Sequence, residues 1–107
     1  MRHVTFRQLR VFASAATQLS FARAAAELHL TPPAVSIQIA QLERAAGAAL
    51  FERLGRRLYL TQAGAGLLRA STAILGQLRA VDEELAALRG IEGGLLNVGV
   101  ISAGDYF

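Results

Sequence analysis

The sequence predicts a mainly α-helical fold in which three short helices and a β-hairpin precede one long helix. Three observations predict this class. Apolar residues recur at helical spacing in three consecutive segments, and each segment follows a residue that favours a helix start. Two short strand-like runs then flank a glycine. Finally, a stretch without proline, residues 61–89, has large apolar residues at coiled-coil spacing.

The first two helices are located by their N-caps. Thr5 and Gln8 have the spacing of a capping box, and apolar residues at helical spacing follow, so helix 1 is predicted over residues 6–18. Ser20 is a favourable N-cap for a second helix of about two turns. The apolar face of that second helix consists of Phe21, Ala24, Ala25 and Leu28.

A third helix is predicted to start at Pro32 and to stop at Gly47. Thr31 precedes it as an N-cap, and proline is tolerated in a first helical turn. Its apolar face consists of Val35, Ile39, Leu42 and Ala46. Two helices joined by a tight turn, the second with a polar outer face, form a helix-turn-helix pattern. An ordinary helical hairpin in an alanine-rich bundle has the same pattern, so both interpretations remain open at this point.

Residues 50–54 and 57–60 are predicted to pair as a β-hairpin around Gly55. Arginine occurs three times at or near the tip of this hairpin, as Arg53, Arg56 and Arg57. After a helix-turn-helix, such a hairpin is a wing that can contact nucleic-acid phosphates. A solvated surface hairpin is the alternative, but clustered arginines favour the wing. Residues 1–60 are therefore predicted to form a winged helix-turn-helix domain.

The long helix is predicted over residues 61–90 and carries an apolar seam. Ser71 interrupts this seam, whose apolar members are Leu67, Ile74, Leu78, Val81, Leu85 and Leu88. The domain at residues 1–60, which we call the headpiece, is too small to cover a helix of about 42 Å. We therefore expect a second copy of the chain to pair along the seam. Leu68, Leu75 and several alanines widen the apolar face, which predicts additional contact with the headpiece.

Three glycines are predicted to end the long helix, namely Gly90, Gly93 and Gly94. Residues 95–101 then form an apolar run typical of a buried strand. We interpret residues 91–107 as a hinge and the first strand of a second domain that the chain does not contain.

The charge of the chain is unevenly distributed. All eleven residues counted as Lys or Arg are arginine, and residues 1–60 hold eight of them against three glutamates, a net charge of +5. Residues 61–107 have a net charge of −2. A basic first part favours a nucleic-acid-binding module joined to another unit.

Composition excludes several classes of site and location. The chain has no cysteine, which excludes disulfides and cysteine-based metal sites. No apolar run approaches the ~20 residues of a membrane span, and no secretory signal begins the chain, so we expect a cytoplasmic protein without membrane contact. His3 and His29 have no carboxylate or nucleophile pattern nearby, and no glycine loop for a phosphate is present. We therefore expect neither catalysis nor a cofactor, and a structural role for His29.

The order and spacing of these residues resemble the N-terminal third of the LysR-type transcriptional regulators. The residues that carry the resemblance are Leu9-Arg10-Val11-Phe12, Ser20-Phe21-Ala22-Arg23-Ala24-Ala25, Leu28, Thr31, Pro33-Ala34-Val35-Ser36, Ile39, Gln41-Leu42-Glu43, Gly47, Leu50-Phe51-Glu52-Arg53, Leu60-Thr61 and Ala63-Gly64. Within that family, residues 27–31, 34–38 and 99–107 are most similar to the Calvin-cycle (RuBisCO operon) regulators.

The resemblance implies a bacterial transcription regulator that binds an interrupted palindrome in double-stranded DNA as a homodimer or homotetramer. It also implies antiparallel pairing of the long helices and a C-terminal domain that binds a small-molecule effector. Ser102 follows the predicted strand and is our candidate for a residue lining that effector site, with a simple turn residue as the alternative.

DNA contacts are predicted for the outer face of the third helix, for the wing and for the helix starts. The candidate residues are Ser20, Arg23, Thr31, Pro32, Pro33, Ser36, Ile37, Gln38, Gln41, Arg53, Arg56 and Arg57. Two of them depart from the family pattern, which usually has Gln in place of Pro32 and often has Arg or Lys in place of Ile37. Since neither side chain here can donate a hydrogen bond, we expect apolar contact, for example with a thymine methyl group.

Two other functions are compatible with parts of the pattern. A MarR-like winged-helix regulator would need helices both before and after the headpiece for dimerisation, and only the later helix is present. A coiled-coil interaction module without a DNA role would leave the arginine-rich hairpin unexplained.

Overall fold

In the computed structural model, which describes residues 1 and 3–93, the chain forms four α-helices and a two-stranded antiparallel sheet. The elements follow one another as α1 (Phe6–Gln18), α2 (Phe21–Leu28), α3 (Pro32–Ala46), β1 (Phe51–Leu54), β2 (Arg57–Leu60) and α4 (Gln62–Gly93). This order confirms the predicted class, a mainly α winged helix-turn-helix followed by a long helix.

Each of the first three helices starts at the residue that its cap predicts. The Thr5 hydroxyl accepts from the backbone N–H of Gln8 at 3.1 Å, and the Gln8 side chain accepts from the Thr5 N–H at 3.0 Å, which completes the capping box. Ser20 and Thr31 each accept from the backbone N–H three residues further on, at 3.1 and 3.2 Å. Helix α3 ends at Gly47, as predicted.

The three short helices enclose one hydrophobic core. Small residues let α2 lie close to its neighbours, since Ala24 is 0% exposed and Ala25 only 2%. Polar contacts also join α1 to α2, because Ser14 and Gln18 donate to the Glu27 carboxylate. The buried members of the core are Val11, Phe12, Ala15, Ala16, Ala24, Ala25, Val35, Ile39, Leu42 and Leu50.

Helices α1 and α2 end in left-handed residues that are not glycine. Leu19 has φ 50° and His29 has φ 57°. This conformation costs an L-residue roughly 1–2 kcal/mol, so the surrounding bonds must impose it. The N–H of His29 donates to the carbonyls of Ala25 and Ala26, which closes α2 before the chain turns into α3. This bond involves only the backbone of His29, whose side chain is exposed, so the structural role of the imidazole stays a prediction.

The hairpin has a two-residue loop. Phe51 pairs with Leu60 and Leu54 with Arg57, so Gly55 and Arg56 form the turn. Gly55 has φ +64° and takes the first central position, where a type II′ turn requires glycine. Leu50, predicted as part of the first strand, lies just before it and is buried in the core at 1% exposure.

The start of α4 is bonded to the residues that precede the wing. Thr61 donates its N–H to the Leu50 carbonyl at 3.1 Å and its hydroxyl to the Ala49 carbonyl at 2.6 Å. The same hydroxyl accepts from the N–H of Gly64 at 3.0 Å. A Cβ on Gly64 would overlap the Leu50 carbonyl oxygen and lie 2.9 Å from Leu60 Cδ2. Only glycine fits at this approach of α4 to the wing.

Helix α4 is longer than predicted. It extends to Gly93, so Gly90 does not end it. A single glycine inside a helix costs only about 1 kcal/mol, and the residues on either side of Gly90 favour continuation. The chain divides into two compact units, Met1–Leu75 and a second that starts at Gly76, and α4 contributes residues to both. The strand predicted over residues 95–101 and the candidate Ser102 lie outside the described residues.

The predicted seam residues of α4 differ in their surroundings. Leu67 packs against the headpiece core together with Leu68. Ser71 is fully buried, and its hydroxyl has no hydrogen-bond partner within the described part of the chain. The chain itself therefore covers the polar residue that interrupts the seam. Exposed apolar side chains follow along the helix, namely Ile74 at 40%, Val81 at 46%, Leu85 at 37% and Leu88 at 58%, while Leu78 is half-buried.

Across residues 1 and 3–93, no helix combines the length and the hydropathy that a membrane crossing requires.

The contact at Gly64 generates a stability prediction. Gly64→Ala should lower the free energy of unfolding by about 1–3 kcal/mol, because the new methyl group meets a backbone carbonyl that cannot move without displacing the wing. Denaturant unfolding at a fixed protein concentration measures this. Gly76→Ala is the matched control, since a Cβ there has no neighbour within 4 Å, and it should stabilise the helix by up to about 1 kcal/mol. Equal effects of the two substitutions would contradict the close approach.

Candidate nucleic-acid interface

Most of the α3 residues predicted to contact DNA lie on the outward face of this helix, which we call the reading face. Ser36, Ile37 and Gln41 are exposed, and Ile37 is 58% exposed although it is apolar. Pro32 and Pro33 are exposed in the first turn, behind the Thr31 cap.

Gln38 is only half-buried at the margin of that face, as its predicted marginal position on the helix implies. Arg23 on α2 and Arg57 on β2 are both exposed. The predicted candidates therefore divide into a central group and a set of flanking residues.

One open cleft brings together candidates from three elements. It holds about 390 Å³ between the start of α2, the start of α3 and the wing. Its lining residues are Leu19, Ser20, Phe21, Ala22, Pro32, Ser36, Arg53, Arg56 and Leu58. Two of these are arginines and none is acidic, so the cleft is suited to an anion. Arg23, Thr31, Pro33, Ile37, Gln38, Gln41 and Arg57 lie outside its lining.

Aromatic rings hold the base of the wing and one of its arginines. The Arg53 guanidinium lies over the Phe21 ring, 5.8 Å from its centre. Phe21 meets Phe51 edge-on at 5.2 Å, and Phe51 meets the buried Phe12 at 5.5 Å. A cation over an aromatic face gains about 0.5–1 kcal/mol at an exposed site. Arg53 is thus held beside the N-terminus of α2. Sequence reasoning identified Arg53 but missed Phe21 as its support.

Glu43 attaches the wing to α3. Its carboxylate accepts from the backbone N–H of Leu50 at 2.7 Å and of Phe51 at 3.4 Å. Both groups lie at the start of β1, and Glu43 is half-buried. Charge-assisted bonds of this kind are stronger than neutral ones. The sequence contained one signal for this role, an acidic residue one position after the buried Leu42, but nothing in the spacing identified its partners.

The side chain of Gln41 forms a hydrogen bond with a residue of α1. The amide nitrogen Nε2 of Gln8 donates to Oε1 of Gln41 at 3.1 Å. Sequence reasoning placed Gln8 only in the capping box and Gln41 only on the reading face. Their contact joins the start of α1 to the surface of α3 and is a consequence of tertiary packing.

Together these elements form a surface for a long anionic partner. It has an exposed helix with polar and apolar side chains, two helix N-termini capped by Ser20 and Thr31, and an arginine-rich hairpin beside them. Helix N-termini and arginines both favour phosphate groups. Among the residues described by the structure, no group of three or more potential metal-ligating side chains exists.

Comparison with known proteins identifies the family. Residues 6–65 match the family described as "Bacterial regulatory helix-turn-helix protein, lysR family". The chain belongs to the LysR family. The matched segment covers α1 to the first residues of α4, which is the part that contains the cleft and the wing. The resemblance inferred from the sequence is confirmed, and membership of this family of regulators confirms the prediction that the chain is not an enzyme.

Two curated relatives have names that agree with the narrower resemblance. The "RuBisCO operon transcriptional regulator" of Acidithiobacillus ferrooxidans is 50% identical over 107 residues, 100% of this chain and 35% of the relative. "HTH-type transcriptional regulator CfxR" of Cupriavidus necator is 47% identical over 107 residues, again all of this chain and 34% of the relative. The chain thus spans about a third of the length of these relatives.

Solved structures support the fold. A crystal structure of the CbnR_DBD-DNA complex is similar with a TM-score of 0.71 and 37% sequence identity, covering 80% of this chain and 100% of that one. That domain was solved together with DNA, and a separate crystal structure is that of "CbnR, a LysR family transcriptional regulator".

The attachment of the wing by Glu43 can be tested. Glu43→Ala should lower stability by about 1–3 kcal/mol, because the buried N–H of Leu50 loses its acceptor. Hydrogen exchange at the Leu50 and Phe51 amides should accelerate more than exchange within α1. Glu52→Ala is the control. It removes an exposed carboxylate from β1, next to Phe51, and should leave the exchange rates of these two amides unchanged. Unaltered protection in Glu43→Ala would rule out the attachment.

Proposed function

We propose that this chain is the DNA-binding part of a LysR-type transcription regulator that recognises an interrupted palindrome in double-stranded DNA. One observation carries the proposal: residues at the start of α2, the start of α3 and the wing surround a single basic cleft. Family membership and the similarity to a DNA-bound domain support the same function.

In the proposed complex the N-terminal half of α3 enters the major groove. Ser36 in this half, and Gln41 further along the helix, are exposed and can form hydrogen bonds with base edges or phosphates. Pro32 and Ile37 offer apolar contact instead, which suits a thymine methyl group. Gln38, half-buried at the margin, would contact the edge of the groove.

The wing and the helix starts would bind the sugar–phosphate backbone. Arg53 and Arg56 line the cleft beside Ser20, and Arg57 follows in the adjacent strand. Arg23 on α2 and Thr31 at the start of α3 would contribute further contacts. Phosphate contacts of this type orient a protein on the duplex without reading its sequence.

A homodimer is proposed for the complete assembly. A single headpiece buries a modest interface, and two headpieces double both the contact area and the length of the site. The exposed apolar side chains of α4 support pairing along this helix, with Ile74, Leu78, Val81, Leu85 and Leu88 as the contact residues and Leu67 at its headpiece end. Tetramers would follow from further pairing outside this chain.

The complete regulator would respond to a small-molecule effector through a C-terminal domain, since the matched relatives are about three times as long as this chain. A cytoplasmic location belongs to the same proposal. The regulated genes would be a RuBisCO operon, which is the operon named for the Acidithiobacillus relative.

Binding measured across a salt series tests the DNA-binding function. The chain should prefer an interrupted palindrome, selected from a randomised duplex library, over a scrambled control. Arg56→Ala should weaken binding to both duplexes alike and reduce the slope of log affinity against log salt by about 1, because one phosphate contact is lost. Ser36→Ala should reduce the preference for the palindrome and leave the salt slope unchanged. A parent chain without measurable binding at low salt would refute the proposal in favour of an interaction module.

Sedimentation tests the pairing through α4. The parent chain should sediment as a dimer, and Val81→Asp combined with Leu85→Asp should yield monomers, because two carboxylates would be buried in the seam. Ala80→Asp combined with Ala87→Asp is the matched control, since these exposed positions add the same charge away from the seam. An unchanged sedimentation coefficient for the Val81/Leu85 variant would exclude the seam as the interface.

A further inference from the structure

The capping box of α1 reaches the reading face of α3. The backbone N–H of Thr5 donates to Oε1 of Gln8 at 3.0 Å, and Nε2 of Gln8 donates to Oε1 of Gln41 at 3.1 Å. Gln41 is exposed on α3, one turn after Ile37. Three groups are thus connected in series, from a backbone amide to a side chain on the predicted DNA surface.

The direction of every bond in this series is determined by its first member. A backbone N–H can only donate, so the atom of Gln8 that faces Thr5 must be the oxygen. The other end of the Gln8 amide is then a donor, and the atom of Gln41 that faces it must also be the oxygen. The remaining end of the Gln41 amide is its NH2 group, which keeps free donors.

We propose that Gln8 is a positioning residue that makes Gln41 present a hydrogen-bond donor to DNA. The inference rests on the proposed DNA-binding function and specifies the chemistry of one contact. The partner of Gln41 is a hydrogen-bond acceptor: the N7 atom of a purine, the O6 atom of guanine, the O4 atom of thymine, or a phosphate oxygen.

The fixed amide determines which end of Gln41 faces DNA. A glutamine that is free to rotate can offer either its oxygen or its NH2 group. Gln8 keeps the NH2 group of Gln41 outward, so the first requirement on the partner is an acceptor. Adenine meets it through N7, and guanine through N7 or O6. The oxygen of Gln41 has a second lone pair, so its bond to Gln8 does not exclude a further bond from adenine N6.

Gln8→Glu is the decisive variant. Glutamate at this position still accepts from the Thr5 N–H, because a capping box takes Glu as well as Gln. Its second oxygen accepts rather than donates, so Gln41 should turn over, point its NH2 group at residue 8 and present its oxygen outward. The melting temperature should stay close to that of the parent chain, while the contact with DNA changes.

The measurement is a double-mutant cycle with the full 107-residue chain. Parent, Gln8→Glu, Gln41→Ala and the double variant are titrated against the duplex that the parent selects from a randomised library. Gln8→Glu should weaken binding about 3- to 10-fold through the lost hydrogen bond, and much less in the Gln41→Ala background. The added negative charge acts in both backgrounds, so the cycle removes its contribution.

Two further arms distinguish the acceptors. If Gln41 contacts a base, Gln8→Glu should change the base-pair preference at one position of each half-site. Affinity should rise for the N–H donors of adenine or cytosine relative to guanine and thymine, whose edges offer only acceptors. If Gln41 contacts a phosphate, the selected sequence should stay the same, and one neutral methylphosphonate linkage should abolish the coupling between the two residues. A role of Gln8 in stability alone would change affinity for all duplexes alike.

The outcomes separate the two proposals. Additive effects in the cycle, with an unchanged selected sequence, would overturn the positioning role and leave the DNA-binding function intact. A parent chain that selects no sequence would overturn the proposed function, and the donor role with it. Gln8→Ala, which removes the donor without adding charge, should also be coupled to Gln41→Ala and serves if Gln8→Glu does not fold.

Discussion

The backbone N–H and the carbonyl of Leu50 both form hydrogen bonds, and the arrangement of the helices and the wing depends on these two bonds. Its N–H donates to the Glu43 carboxylate on α3, and its carbonyl accepts from the Thr61 N–H at the start of α4. Its side chain fills the core, and Gly64 leaves room for its carbonyl oxygen. Because three elements meet at one residue, the wing cannot move relative to the reading helix without breaking bonds to buried groups.

This junction explains how a domain with a small core can hold a surface for another molecule. The aromatic contacts from Phe12 through Phe51 to Phe21 extend from the core to the wing and support Arg53. Elsewhere on α3, the cap of α1 reaches Gln41 through Gln8. Side chains on the surface of α3 and the wing are therefore oriented by contacts within the domain before any partner binds, and less freedom is lost on binding.

Helix α4 combines two environments along one apolar seam. Leu67 packs against the headpiece core and Ser71 is fully buried, so the first turns belong to the headpiece. From Ile74 to Leu88 the apolar side chains are exposed, a pattern that is costly for an isolated helix in water. A small residue at position 71 agrees with this burial, because a larger apolar side chain would need space that other residues of the chain already fill.

The sequence by itself determined the elements and their order, because caps, apolar spacing and turn glycines act over a few residues. Thr5, Ser20, Thr31 and Gly55 located their elements within a residue or two, and the arginines of the wing were recognisable from their clustering. Only the tertiary structure decided which distant side chains meet: Gln8 with Gln41, Glu43 with the start of β1, and Phe21 with Arg53. The end of α4 was also misjudged, since the helical preference of its neighbours outweighs Gly90. Local signals are written in adjacent residues, whereas these contacts depend on how packed helices bring separate segments together.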